Sequence, residues 1–256
     1  MKVKYPAEAF ALGILLFSTG MKEAFTAGIL VIASVVFAEL FKNLLEEALP
    51  DWSWKLCVLI ATASLTASAF RLGFSVLGIP VTTGLWIMTF VIGLLSAKAV
   101  LCNGFEAEYG DMLYASAILW GFWILFAIAR EFLAGGSIFG NVLVESAPFF
   151  STSFAQMGFG FLAAGMAIAF TNGILKMKCK NTQSLFLVIP AVIYARPFEM
   201  ASFGEIVGII WAIAVPIALF ISVKRMLKFS PAGAAYRGLP VEMLSMGLIY
   251  LILSVY

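Results

Sequence analysis

The sequence predicts an all-α fold, a polytopic transmembrane helical bundle of about nine spans. Three observations carry that prediction. The chain is 62% hydrophobic, 12% charged and has a mean hydropathy of +1.04. Soluble domains carry about 25% charged residues, so too little charge is present to build a wetted surface. Apolar runs recur along the whole length, many of them near the roughly 20 residues that a helix needs to cross the hydrocarbon core. The period-2 alternation of a membrane barrel is missing, which leaves helices as the spanning element.

The spans follow in order. Ala7–Thr19 comes after Lys2 and Lys4 and is short. Ala24–Leu45 begins beyond Lys22 and Glu23; near its end Glu39 and Lys42, three residues apart, share one face and ease the helix end. Trp54–Leu77 carries the small-residue run Ala61-Thr62-Ala63-Ser64-Leu65-Thr66-Ala67-Ser68. Val81–Leu101 enters after Pro80 and contains Lys98. Met112–Leu133 follows a loop with Glu106, Glu108 and Asp111 and ends at Arg130 and Glu131. Phe154–Leu175 holds a second small-residue run, Ala163-Ala164-Gly165-Met166-Ala167. Ser184–Ala195 is short and interrupted by Pro190. Ile206–Val223 contains Pro216, and Val241–Tyr256 begins after Pro240. The two small-residue runs permit close helix approach and are expected to place their spans centrally.

Charge placement orients the bundle. With the N-terminus in the cytoplasm, nine crossings put Lys2, Lys4, Lys42, Lys55, Lys176, Lys178, Lys180, Lys224, Arg225, Lys228 and Arg237 inside, eleven of the sixteen cations. Lys22, Arg71, Arg130 and Arg196 lie outside and Lys98 within a span. That is the bias the positive-inside rule requires. No small-residue cleavage site follows the first apolar run before charge returns at Lys22, so the first helix is expected to remain as a span. The net charge of +2 sits in loops and gives no case for a nucleic-acid partner; the lipid bilayer is the expected one.

Absent residue types exclude chemistries. The chain has no histidine, which removes bis-histidine haem, histidine-based acid–base catalysis and most zinc sites. Cys57, Cys102 and Cys179 are far apart and form no C-x-x-C pair; apolar packing or a free thiol accounts for each. Gly135-Gly136 lacks the Gly-Lys-Ser/Thr continuation of a phosphate loop. No catalytic, cofactor-binding or metal-binding residue is assigned on this basis.

Misplaced charge supplies the candidate sites. Lys98 lies inside the fourth span, where a charge is either functional or snorkels to the interface. Arg130 and Glu131 stand at a span end as an interfacial anchor or part of a subunit contact. Ala7–Thr19 and Ser184–Ala195 are about a dozen residues each, too short for straight crossings. Half-helices meeting irregular backbone would mark a central site, and trimmed ends are the plainer explanation.

The segment Arg130-Glu131-Phe132-Leu133-Ala134-Gly135-Gly136-Ser137-Ile138-Phe139-Gly140 closely resembles the end of the fifth helix in the paired six-helix membrane subunits of Rnf and Nqr complexes. Tyr236-Arg237-Gly238-Leu239-Pro240-Val241 is similar to the segment that opens the last helix of the partner subunit. Weaker similarities are Ala11–Leu15, Ala63–Thr66 and Gly104-Phe105-Glu106-Ala107-Glu108-Tyr109, where Phe105 stands in place of the family's arginine. The resemblance implies an inverted-repeat core with short half-helices. It divides the chain into a six-helix unit, 1–178, and a three-helix extension, 179–256, packed in the same bundle. It also implies a subunit of a redox-driven ion-translocating complex in a prokaryotic inner membrane, with other membrane subunits as partners.

The family's cluster-ligating cysteines align with Leu15 and Val100, and Arg196 occupies the corresponding place in the C-terminal third. Leucine and valine cannot ligate iron, so the expectation is a member that binds no iron–sulfur cluster or other cofactor. A flavin-attachment motif of the S/T-G-A-T type is also missing. Two other classes remain. A stand-alone secondary transporter on the same scaffold would place Lys98 or Arg196 toward a central cavity. A substrate-binding component of a vitamin importer would leave Arg130–Gly140 unexplained.

Overall fold

A computed structural model describes residues 5–103, 109–176, 184–195, 204–226 and 234–253. Among them the chain is all-helical apart from one short hairpin. The helices are α1 (Ala7–Phe17), α2 (Met21–Leu45), α3 (Asp51–Val76), α4 (Thr83–Asn103), α5 (Tyr109–Gly135), α6 (Met157–Ile174), α7 (Leu185–Ala195), α8 (Glu205–Met226) and α9 (Leu239–Leu253). Each begins within three residues of its expected start. Six of them, α2 to α6 and α8, are long and apolar enough to cross a membrane. Their outward faces are apolar too: Leu40, Leu44, Leu56, Ile60, Leu72, Val76, Ile206 and Ile210 are all exposed. Water would not tolerate that much exposed apolar surface, and lipid does. The chain is a membrane protein.

Packing is organised around α1. At 1.5 Å per residue its 11 residues span about 16 Å, roughly half the hydrocarbon thickness. All residues from Ala9 to Phe17 are buried. Phe10 meets Trp123 of α5 edge-on at 6.3 Å, and Phe17 packs on Phe70 and Phe74 of α3 at 5.4 and 5.0 Å. Gly160 of α6 lets the two backbones touch, since a Cβ there would lie 2.8 Å from the Leu15 carbonyl. α1 is therefore a short central helix walled by α2, α4, α5, α6 and α7.

The two small-residue runs behave differently. α6 is central, with 61% of its apolar window buried, and packs along α9 through Gly158, Gly165 and Gly247. α3 is peripheral, with 33% buried, against the expectation of a central span. Its small residues serve one face only. Gly93 of α4 sits against Ala63 and Thr66, while Ile60, Leu65 and Leu72 point outward. Close approach to a single neighbour is enough to select small residues, so the run reported a tight pair and not a central position.

A second departure is the antiparallel hairpin of β1 (Ser137–Ile138) and β2 (Asn141–Val142) after α5. Its loop, Phe139-Gly140, has φ of 58° and 78°, the pattern of a type I′ turn. Strands of two residues are too short to show alternation, which is why the sequence gives no strand signal here.

Candidate functional site

The corner that closes α5 is built around Arg130. This side chain is 5% exposed and lies one and a half turns before the helix end. Its Nε donates to the Phe154 carbonyl at 2.9 Å, and Nη2 donates to the carbonyls of Ala155 and Gln156 at 3.3 and 3.0 Å. Nη1 donates to the Ser18 hydroxyl. Ser18 caps the C-terminus of α1, and Gln156 caps the N-terminus of α6. One guanidinium thus stitches the end of the central helix to the start of its main neighbour, using the rigid fork that lysine lacks. The positive charge also suits the negative end of the α1 dipole.

Glu131 works the other side of the corner. Its Oε2 accepts from the Met21 amide, the first residue of α2, and its Oε1 accepts from the Gly140 amide, both at 2.7 Å. A carboxylate at a helix N-terminus satisfies an orphan donor and complements the dipole. Lys22 lies 5.5 Å over the Phe139 ring and steadies the same turn. Arg130 and Glu131 do not pair with each other among the described residues. They are two separate clamps that hold α1, α2, α5, α6 and the hairpin together.

Lys98 occupies the opposite end of α1. Its ammonium makes a 2.9 Å salt bridge to Glu8 in the first turn of α1 and lies 4.9 Å over the Phe186 ring in the first turn of α7. The side chain keeps 32% exposure, so it is a paired interfacial charge and does not line an enclosed cavity. α1, α4 and α7 meet at this point. On the other flank of the first turn of α7, Lys224 of α8 bridges Glu242 of α9 at 2.8 Å and donates to the Ser184 hydroxyl at 3.1 Å. Deeper in the same end the Tyr5 hydroxyl donates to Asn172 at 2.9 Å, and Asn172 donates to the Ala235 carbonyl.

These pairs order the helix ends. The starts of α1, α7 and α9 lie with the ends of α4, α6 and α8 at one end of the bundle. The ends of α1 and α5 lie with the starts of α2 and α6 at the other. Lys98, Arg130 and Glu131 are therefore placed but not brought together. Arg196 lies outside the described residues, as do Cys179 and the loop acids Glu106 and Glu108.

Leu15 and Val100 are fully buried in apolar surroundings, in two separate clusters. The structure does not converge them on one site. Cys57 and Cys102 are exposed free thiols. No three His, Cys, Asp or Glu side chains gather in a metal-holding group among the described residues. An open groove of about 480 Å³ between α5, α6 and the segment before α9 is lined by Phe122, Phe170, Ile174, Ala235 and Tyr236. Its walls are apolar and none of the paired charges reaches it, which suits an acyl chain better than a polar solute.

Glu8, Ser18, Glu242 and Lys224 were not singled out by the sequence. Glu242 had a usable signal, as a carboxylate inside an apolar span. Glu8 had one as well, being the acid that shares the expected membrane face of Lys98. Ser18 had none. Compared with protein-family models, curated proteins and solved structures, the chain matches none.

Proposed function

We propose that this chain is a multi-pass membrane subunit of an Rnf/Nqr-like redox-driven ion-translocating complex in a prokaryotic inner membrane. In this reading it spans nine times, keeps its N-terminus in the cytoplasm, contributes scaffold and part of an ion or electron path, and ligates no cluster. The observation that supports it is the Arg130–Gly140 corner. The residues that carry the resemblance are those that fold into a dedicated junction, with Arg130 on α1 and α6 and Glu131 on α2 and the hairpin. The short buried α1 at the bundle centre also suits a scaffold derived from half-helices. Leu15 and Val100, which align with the family's cluster cysteines, are buried in apolar packing. A stand-alone transporter would place Lys98 or Arg196 toward a central cavity; Lys98 is held by Glu8 and Phe186, and Arg196 lies outside the described residues.

Purification from the native host in mild detergent, with mass spectrometry of the co-purifying proteins and elemental analysis of the isolated chain, tests this reading. The expected result is recovery with flavin- or iron–sulfur-bearing subunits and no stoichiometric iron in the chain itself. Recovery alone as a monomer or homo-oligomer overturns the complex, and stoichiometric iron overturns the scaffold role.

A further inference from the structure

We propose that the hairpin segment between α5 and α6 docks on the phospholipid headgroup interface, into which it sets Val142, Leu143, Val144 and Phe149. These side chains are 65%, 62%, 38% and 53% exposed, so the fold leaves all four uncovered. Between Gly136 and Gln156 the only charged residue is Glu145. An exposed apolar cluster with so little charge around it marks a contact surface.

Its place in the chain says what covers it. The segment leaves one membrane-length helix at Gly135 and enters the next at Met157, so it stands at the boundary of the bilayer. The patch is also continuous with those helices. The Phe149 ring lies 6.3 Å from Phe132 of α5 and 4.9 Å from Phe150, which in turn meets Phe132 at 5.7 Å. On the other side Phe154 packs on Phe159 of α6 at 4.7 Å. Phe132, Phe154 and Phe159 are each half-buried, so a girdle of rings runs from the ends of both helices into the loop. Charge agrees with this occupant. Lys22 is exposed and its ammonium lies 5.5 Å over the Phe139 ring, which sets a cation beside the hairpin tip for lipid phosphates to meet. The backbone sets the depth. The Leu143 and Val144 amides donate to the Gly136 carbonyl, whereas those of Glu145, Ser146 and Ala147 donate to no backbone carbonyl among the described residues. Hydrocarbon does not tolerate such groups, and water and headgroups satisfy them, so the hairpin lies along the interface and not in the core. Glu131 ties the Gly140 and Met21 amides to the last turns of α5, so the seated hairpin fixes how deep that corner of the bundle sits.

A lipid-seated hairpin requires a bilayer and is independent of the redox-complex reading. The test is spin labelling of Val142→Cys in the full chain with Cys57, Cys102 and Cys179 replaced by serine. The labelled protein is reconstituted in vesicles of phosphatidylcholine and phosphatidylglycerol, and power saturation compares collisions with oxygen and with a water-soluble nickel chelate. The expected result is more collision with oxygen than with nickel, by a smaller margin than at Ile60→Cys on the exposed apolar face of α3. Leu143→Cys gives the same order and serves if the first variant does not yield monodisperse protein. Nickel collisions in excess at both positions show a solvated loop and overturn the proposal. Low collision with both reagents shows a protein surface over the hairpin, a second copy or the chain itself, and overturns it as well.

Discussion

Arg130 and Lys98 look alike in the sequence, as single cations in apolar context, and have opposite physics. Lys98 keeps a third of its side chain exposed and is shared between a carboxylate and a ring. Arg130 is buried and answers to four neutral oxygens from two segments. Replacing it with methionine preserves most of the volume and orphans those acceptors. Arg130→Met should therefore destabilise the detergent-solubilised protein by about 3 kcal/mol, with lysine giving little rescue because a point charge cannot serve the whole fork. Thermal unfolding checks this, and a loss no larger than that of an exposed lysine-to-methionine change would remove the corner from the account. The positions of Arg130 and Glu131 were legible in the sequence, but their partners were not. Hydrogen bonds from Arg130 to Ser18 and from Met21 to Glu131 join residues about 110 apart, a separation that no local pattern reports.

At the level of helices, hydropathy periods located nearly every element, because an apolar run bounded by charge or proline is a direct image of a span. What they missed was neighbourhood. The shortness of α1 was visible, and its complete burial was not, since an all-apolar helix looks the same facing lipid or protein. The run in α3 misled for the related reason that small residues mark one close neighbour. Gly93 identifies that neighbour: a Cβ there would come within 2.6 Å of the Ala63 Cα and 2.9 Å of the Thr66 side chain. Gly93→Val should weaken the α3–α4 pair by about 1–3 kcal/mol. Gly121→Val, at a helical glycine with open space around it, should be close to neutral. Equal thermal shifts for the two variants would show that α3 and α4 are not packed as described.

Across the whole molecule the charged side chains that tie helices together divide between the two ends of the bundle. Lys98 with Glu8 and Lys224 with Glu242 flank the first turn of α7 at one end. Arg130 and Glu131 lock the corner at the other. In the orientation we propose from the lysine and arginine counts across the loops, the Lys98 end faces the cytoplasm. The proposed scaffold role depends on that frame. Cys102, exposed at the end of α4, and Asn141→Cys, on the hairpin, report the two ends directly once Cys57 and Cys179 are replaced by serine. The decisive measurement is labelling of these two thiols by a membrane-impermeant maleimide in right-side-out and inside-out vesicles. The account predicts Cys102 modified only in inside-out vesicles and the cysteine at 141 only in right-side-out ones. Modification of both from one side, or the reverse pattern, would contradict it.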